Sequence, residues 1–131
     1  MVDITWRGSF ESREVETLHA ACFEREPSFE WDWWQQVNQH SLGWVCARAG
    51  GRFVGWVNVA WDGGVHAFLI DTIVESGHRR QGIATQLVGS AADHARQQGC
   101  EWLHVDFDSH LRAFYWQSCG FAVTDAGVIA L

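Results

Sequence analysis

The chain has 131 residues, 47% of them apolar, so it can bury one substantial core but is too short for two ordinary domains. A formal net charge of −7 leaves no basic stripe to neutralise phosphates, which argues against a nucleic-acid-binding surface. No apolar run is long enough to cross a bilayer, and the N-terminal residues lack the basic-then-apolar order of a secretory signal. We therefore expect a single domain over residues 1–131, in the cytoplasm, without nucleic-acid or membrane partners.

The N-terminal third predicts one strand followed by two helices. Residues 3–10 alternate apolar and polar side chains, which is typical of a half-buried strand. In residues 14–23 the apolar positions recur at helical spacing, and a second short helix is expected over residues 30–37, after Pro27.

The middle of the chain predicts three antiparallel strands, over residues 42–49, 52–61 and 65–74. Glycine pairs separate these runs, and glycine pairs between β-branched and aromatic runs indicate hairpins. The third run is almost continuously apolar, which predicts a central strand covered on both faces.

The C-terminal part begins with the clearest helix, from Gly82 to Gly99, where apolar residues line one face. A strand over residues 102–107, a short helix over 111–118 and a closing strand or hairpin over 121–131 are expected to follow. The fold class is therefore α/β or α+β, with a single mixed, mostly antiparallel sheet flanked by helices.

The loop between the third strand of the middle region and the long helix has the features of a phosphate site. Unpaired backbone N–H groups and the positive end of the helix dipole meet there. Gly82 and Ala84 allow a ligand to approach the backbone, and Arg79 and Arg80 add positive charge. An ordinary loop with a basic rim is the alternative. The loop matches neither the P-loop ending Gly-Lys-Ser/Thr nor a G-x-G-x-x-G fingerprint.

Two motifs in register resemble one family. The R-x-x-G-x-A pattern within HRRQGIATQLV resembles the acetyl-CoA signature of the GNAT superfamily of N-acetyltransferases. Residues 108–121 resemble the closing N-x-x-A-x-x-F-Y-x-x-x-G-F element of that family, with Asp108 in place of asparagine and Leu111 in place of alanine. The resemblance covers residues 42–121 well and the N-terminal third only by element order. It implies a GNAT-like acyl-CoA N-acyltransferase fold.

The resemblance also implies a reaction and its residues. Acetyl would pass directly from acetyl-CoA to a primary amine in a ternary complex, and Tyr115 would protonate the departing thiolate. From the residues alone, without the resemblance, Tyr115 is better interpreted as a packed aromatic on a short amphipathic helix with Phe114. Backbone groups of Thr72, Ile73 and Val74 would hold the pantetheine arm. The implied pyrophosphate-binding residues are Arg79, Arg80, Gln81, Gly82, Ile83, Ala84 and Thr85, and the second motif adds Asp108 to the cofactor site.

The base that deprotonates the amine is not obvious from the sequence. Family members often carry it at positions corresponding to Phe68 and Ile70, and both are apolar here. Asp71 lies within the same apolar run, where a carboxylate must be hydrogen-bonded, paired or protonated, so it is either a base or a structural aspartate.

Other polar residues are alternatives or partners for Asp71. His104 and Asp106 share one face of the next strand, so we expect them to complete a polar cluster with Asp71. Glu75, at the mouth of the loop, either attracts the cationic amine or is a solvated loop carboxylate. Scattered cysteines and histidines, with no C-x-x-C or H-x-x-x-H spacing, indicate reduced thiols and no metal site.

The segment before the strands offers an acceptor pocket. Its aromatic residues are interspersed with carboxylates, a combination suited to an organic cation, although a tryptophan stripe near helical spacing is also typical of a core. The candidate residues are Phe29, Trp31, Trp33 and Trp34. We expect a small cationic amine such as a polyamine, an amino acid or an aminoglycoside-like molecule, and a monomer or homodimer. The alternatives are a protein or peptide N-acetyltransferase, a non-catalytic acyl-CoA-binding module, and a nucleotide-phosphate binder.

Overall fold

The computed structural model describes residues 1–131 and contains one five-stranded sheet. Across the sheet the strands follow chain order. They are β1 (Val2–Trp6), β2 (Ser41–Ala49), β3 (Arg52–Trp61), β4 (His66–Val74) and β5 (Trp102–His104). Neighbours from β1 to β4 are antiparallel and β4 pairs with β5 in parallel. This confirms the predicted mixed, mostly antiparallel sheet.

Three α-helices flank the sheet: α1 (Ser12–Cys22), α2 (Trp33–His40) and α3 (Ile83–Gln97). Short 3₁₀ turns cover Ser76–His78 and Ser109–Leu111, and a π-helical turn covers Ala113–Ser118. None of these helices combines the length and apolar character that spanning a membrane requires. The element order up to β5 is the one that the sequence predicted.

Each face of the sheet has its own apolar core. On one face α3 packs the buried side chains of Ile83, Leu87 and Val88 against the sheet, because its apolar residues form one helical stripe. On the other face α1 and α2 cover a cluster rich in aromatic side chains, including the fully buried Trp44 and Trp56. The helices on this second face stop short of the β4–β5 end of the sheet.

The prediction that β4 is a central strand covered on both faces was wrong. It lies second from the sheet edge, and Phe68 and Ile70 are 40% and 42% exposed. The helices on that face contact β4 only farther along, where Asp71 bonds to α1 and Ile73 joins the aromatic cluster. The start of β4 is therefore apolar but open on one side.

The predicted closing strand over residues 121–131 is not formed, and β5 is shorter than the predicted 102–107. The apolar side chains of Val123, Val128 and Ile129 in this segment are exposed. A strand needs a neighbour to complete its backbone hydrogen bonds, and β5 offers an edge of only three residues. The first strand is likewise shorter than residues 3–10, ending at Trp6.

A close contact between β1 and β2 gives a test of the packing. A Cβ atom at Gly43 would overlap the indole of Trp6, which stacks on the imidazole of His94 at 4.6 Å. We expect Gly43→Ala to lower the free energy of unfolding by about 1–3 kcal/mol, measured by urea titration. Gly89→Ala in α3, where an added Cβ meets nothing, is the control and should raise it by about 0.5–1 kcal/mol. A Gly43→Ala variant as stable as the unmodified protein would contradict this packing.

Candidate active site

A bulge in β4 lies at the centre of the candidate site. Asp71 and Thr72 of β4 together oppose the single residue Val57 of β3. Asp71 has φ +60°, in the left-handed region that residues other than glycine rarely adopt, at a cost of about 1 kcal/mol or more. Bulges of this kind redirect side chains and are common beside active sites.

The Asp71 carboxylate lines a cavity of about 340 Å³ between β4, α1, α2 and the segment that joins the two helices. Its Oδ1 atom lies 3.0 Å from Nε2 of His19, and both side chains are mostly buried. The other lining residues are Glu16, Arg25, Ser28, Trp31, Trp33 and Gln36. A charged group therefore lies at the sheet side of a cavity with aromatic walls.

Glu16, on the same cavity, is 2% exposed and fully hydrogen-bonded. Arg25 donates to both of its carboxylate oxygens at 2.6 and 2.9 Å, and the Ser28 amide and Trp33 Nε1 also donate. The hydrogen bonds from Arg25 lower the pKa of Glu16 to about 2 against the desolvation by burial. Because Arg25 neutralises Glu16, Asp71 carries the remaining negative charge of the cavity.

The expected cluster of Asp71 with His104 and Asp106 was wrong. Nε2 of His104 lies 2.8 Å from Nδ1 of His66, and the His104 ring stacks on Phe68 at 4.9 Å. The parallel pairing of β5 aligns His104 with the start of β4, well before the bulge. Asp71 instead meets His19 of α1, a partner that the sequence analysis missed.

Sequence did contain a signal for this part of the site. Glu16 lies next to Val15 in the apolar stripe of α1, where an acidic residue is rarely buried without a partner. The position of Glu16 therefore indicated that the buried face of α1 carries one polar side chain. It did not indicate that His19, one turn later, would contact a strand 52 residues away.

Tyr115 lies on the other side of the bulge. Its hydroxyl is 3.2 Å from Oγ1 of Thr72, and its ring is stacked on Phe107 at 4.6 Å. The side chain is 6% exposed, and this burial raises its pKa above the ordinary value, so the phenol keeps its proton at neutral pH. The tyrosine is thus both a packed aromatic and a proton donor directed at β4.

β4 and β5 part before the bulge is reached. Their pairing joins His66–Phe68 to Trp102–His104 and goes no farther, so the β5-facing edge of β4 from Ile70 onward has no strand partner. The carbonyl oxygen of Val74 on this part of β4 accepts a hydrogen bond from Arg79 Nε at 3.3 Å. A linear ligand can therefore lie along an exposed strand edge.

The N-terminus of α3 faces the same region. Its first helical hydrogen bond joins Gln86 N to Gly82 O at 3.1 Å, which leaves the amides of Ile83, Ala84 and Thr85 without helical acceptors. Gly82 has φ +77°, and a Cβ there would meet nothing. No acidic residue lies in the first turn, so nothing opposes an anion at this helix end.

The remaining predicted cofactor residues differ in what they can offer. Ile83 is buried in the core, so only its backbone is available, whereas Arg80 and Gln81 are exposed. The guanidinium of Arg79 is directed at the end of β4. The carbonyl of Asp108 accepts from Leu111 N at 2.9 Å, and its side chain caps nothing.

Glu75 is committed to an ion pair. Arg52 donates to both of its carboxylate oxygens, the shortest distance being 3.0 Å, and His78 Nδ1 is 3.6 Å away. The Arg52 contacts hold the pKa of Glu75 below its ordinary value. Both carboxylate oxygens of Glu75 are thus engaged by Arg52, whereas Asp71 is paired through Oδ1 alone, so Asp71 is the stronger candidate for a base.

The four aromatic candidates for acceptor binding are divided between core and surface. Trp33 is 7% exposed and belongs to the aromatic core, although it also lines the Asp71 cavity. Trp31 is exposed and borders both this cavity and a cleft of about 610 Å³ that Phe29 and Trp34 also line. Trp31 is therefore the residue shared by the two openings.

Comparison with known proteins identifies the family. The profile of the acetyltransferase (GNAT) family matches residues 6–121. The chain belongs to this family. It is an acetyltransferase, and GNAT acetyltransferases use acetyl-CoA as the acetyl donor. Part of the chain is also similar to tRNA(Met) cytidine acetyltransferase TmcA of Yersinia pestis, at 38% identity over 55 residues. That match covers 41% of this chain and only 8% of the relative.

Solved structures agree on the fold of this acetyltransferase. A GNAT family protein from Streptococcus pneumoniae TIGR4 has a TM-score of 0.79 at 22% identity, covering 100% of this chain and 98% of that one. AAC(6')-Iy, in complex with the bisubstrate analogue CoA-S-monomethyl-acetylneamine, has a TM-score of 0.78 at 18% identity, covering 100% and 97%. Identities this low establish the shared fold alone.

The α3 N-terminus of this acetyltransferase can be tested by adding a charge. Thr85 is exposed in the first turn, so Thr85→Asp should leave folding intact or favour it slightly through the helix dipole. The same carboxylate should repel a bound diphosphate and weaken coenzyme A binding roughly tenfold at low salt. Calorimetric titration measures the affinity, with the uncharged Thr85→Asn as the matched control. Equal affinities of the two variants would place the diphosphate elsewhere.

The Glu16 ion pair predicts a pH dependence of stability. The folded pKa of about 2 lies below the ordinary value of 4.5, so the stabilisation is complete above about pH 5 and is lost as the pH falls towards 2. Glu16→Gln should lower the free energy of unfolding by on the order of 3 kcal/mol at pH 7. Urea titrations between about pH 7 and pH 3 should show this difference shrinking. A difference independent of pH would contradict the assignment.

Proposed function

We propose that this acetyltransferase transfers acetyl from acetyl-CoA to a primary amine of a cationic small molecule that enters the cavity beside Asp71. The β4 bulge is the observation that carries this proposal. It directs Asp71 into the cavity and sets the next residue, Thr72, 3.2 Å from the Tyr115 hydroxyl. Asp71 can accept a proton, and Tyr115, which contacts the neighbouring Thr72, can donate one. The two groups thus lie at or beside adjacent positions of one strand.

The donor side is supported by two features that suit a coenzyme A molecule. The free amides of Ile83, Ala84 and Thr85 would bind its diphosphate, since they meet no competing carboxylate. The unpaired edge of β4 around Thr72 and Ile73 would bind the pantetheine arm by backbone hydrogen bonds. When bound, acetyl-CoA supplies an acetyl thioester, whose carbonyl carbon the amine nitrogen attacks as the C–S bond breaks.

The acceptor side is supported by charge. With Glu16 neutralised by Arg25, the cavity retains one negative charge, on Asp71, which attracts an ammonium group. The rings of Trp31 and Trp33 suit the organic part of a cation. The analogue bound by AAC(6')-Iy carries acetylneamine, and this favours the same chemical class of acceptor here.

Two proton movements complete the proposed reaction. An ammonium has no lone pair, so Asp71 first takes one of its protons. Tyr115 donates its phenolic proton to the leaving sulfur and regains one from the nitrogen as the amide forms. The raised pKa of Tyr115 keeps that proton in place until the sulfur becomes negative.

The test is release of free thiol from acetyl-CoA with polyamines, aminoglycosides, amino acids and peptides. At least one small cationic amine should be acetylated, and Tyr115→Phe should lower kcat by about a hundredfold or more with unchanged coenzyme A affinity. Trp116→Phe, on the same turn, is the control and should keep kcat.

Other outcomes would decide against the proposal. Release with peptides alone would indicate a protein acetyltransferase. Binding of coenzyme A without release for any amine would indicate a non-catalytic acyl-CoA-binding module. The cytoplasmic location, the monomeric or homodimeric state and the single domain over residues 1–131 stay predictions.

A further inference from the structure

A continuous chain of hydrogen bonds links Asp71, through His19, to the Arg25–Glu16 ion pair that lines the same cavity. Asp71 Oδ1 lies 3.0 Å from His19 Nε2, and His19 Nδ1 lies 2.9 Å from Arg25 Nη2. The Arg25 guanidinium in turn donates to both oxygens of the buried Glu16. Both ring nitrogens of His19 are therefore engaged, Nε2 by a carboxylate and Nδ1 by a guanidinium.

This arrangement fixes the protonation of His19. A guanidinium is always charged and only donates, so Nδ1 of His19 must be the acceptor and carry no proton. The neutral imidazole then has its proton on Nε2, where it donates to Asp71. A second proton on Nδ1 would set two donors 2.9 Å apart. Arg25 cannot easily withdraw, because that would leave Glu16 buried without its partner.

The surroundings of the ring keep it in this orientation. Phe23 and Trp33 cover the imidazole with centroid distances of 4.5 and 5.0 Å, and the side chain is 14% exposed. The charged groups that face it are Asp71 from β4 and Arg25, with Glu16 behind Arg25. A flip of the ring would put carbon atoms where the two nitrogens now lie, and both hydrogen bonds would be lost.

We propose that His19 is a positioning residue for acetyl transfer: Arg25 locks its imidazole in the neutral form protonated on Nε2, and that N–H holds the Asp71 carboxylate unprotonated in the cavity. This inference rests on the proposed function, in which Asp71 is the base. Because Oδ1 accepts from His19, the proton removed from the ammonium goes to Oδ2. It then returns to solvent through the cavity, since Nδ1 of His19 is blocked by Arg25.

Two substitutions separate this role from that of a titrating base. The amide of His19→Gln can accept from Arg25 and donate to Asp71, so kcat should stay within about threefold. His19→Leu cannot donate, so kcat should fall about ten- to hundredfold and the acid limb of the kcat–pH profile should move to higher pH. Coenzyme A affinity should be unchanged in both. His94→Leu, on the opposite face of the sheet, is the control for loss of a packed histidine.

A second measurement is independent of activity. Nitrogen-15 NMR of the unmodified protein at about pH 7.5 should show the His19 ring with its proton on Nε2 and none on Nδ1. A proton on Nδ1 would overturn the locked form. Thermal unfolding of each variant distinguishes loss of positioning from loss of fold.

The kinetic outcomes also distinguish the two proposals. If the unmodified protein releases no thiol with any amine, the proposed function fails and the role of His19 fails with it. If the unmodified protein is active and His19→Leu keeps its kcat and pH profile, only the positioning role is wrong. A His19→Gln variant as slow as His19→Leu would show that the ring itself titrates.

Discussion

The extra residue in β4 is the constraint on which the site depends. Side chains of a regular strand alternate between the faces of the sheet, so without the extra residue Asp71 would share the α3 face with Leu69 instead of facing α1. Asp71 enters the cavity under α1, and Thr72 contacts Tyr115. The left-handed backbone at Asp71 costs free energy. The hydrogen bonds between Asp71 and His19 and between Thr72 and Tyr115 offset this cost. The strand also parts from β5 before this point, which opens the edge that coenzyme A would use.

The charged groups around the cavity are positioned by the need to compensate a buried charge as well as by any role in the reaction. A carboxylate as buried as Glu16 requires compensation, and Arg25, Ser28 and Trp33 all supply hydrogen bonds to it. Holding Arg25 in place orients its second nitrogen towards His19. One buried ion pair therefore connects the stability of the α1 region to the protonation of the group beside Asp71.

The aromatic residues serve the core and the cavity at the same time. Trp33 and Trp56 pack edge to face at 5.7 Å, while Trp33 also borders the cavity and bonds to Glu16. Trp31, two residues earlier, remains largely exposed. The cavity beside Asp71 is thus a continuation of the core under α1 and α2, with Trp33 as its buried wall and Trp31 as its exposed one.

The sequence by itself determined the elements whose signal is local. The three middle strands and α3 followed from glycine pairs and from apolar periodicity. Two short motifs located the loop around Gly82 and the helical turn that carries Tyr115. Hydrogen bonds and packing within such elements involve residues a few positions apart, so their pattern is visible in the chain. The free amides at the start of α3 belong to this class.

Only the tertiary structure decided which distant residues meet. Strand register joined His104 to His66 instead of Asp71, and the short edge of β5 left residues 121–131 without a partner strand. The contact between His19 and Asp71 spans 52 positions and depends on how α1 crosses the sheet. The packing of two elements selects such pairs, and no periodicity within either element encodes how they cross. The partners of Asp71 therefore had to come from the fold.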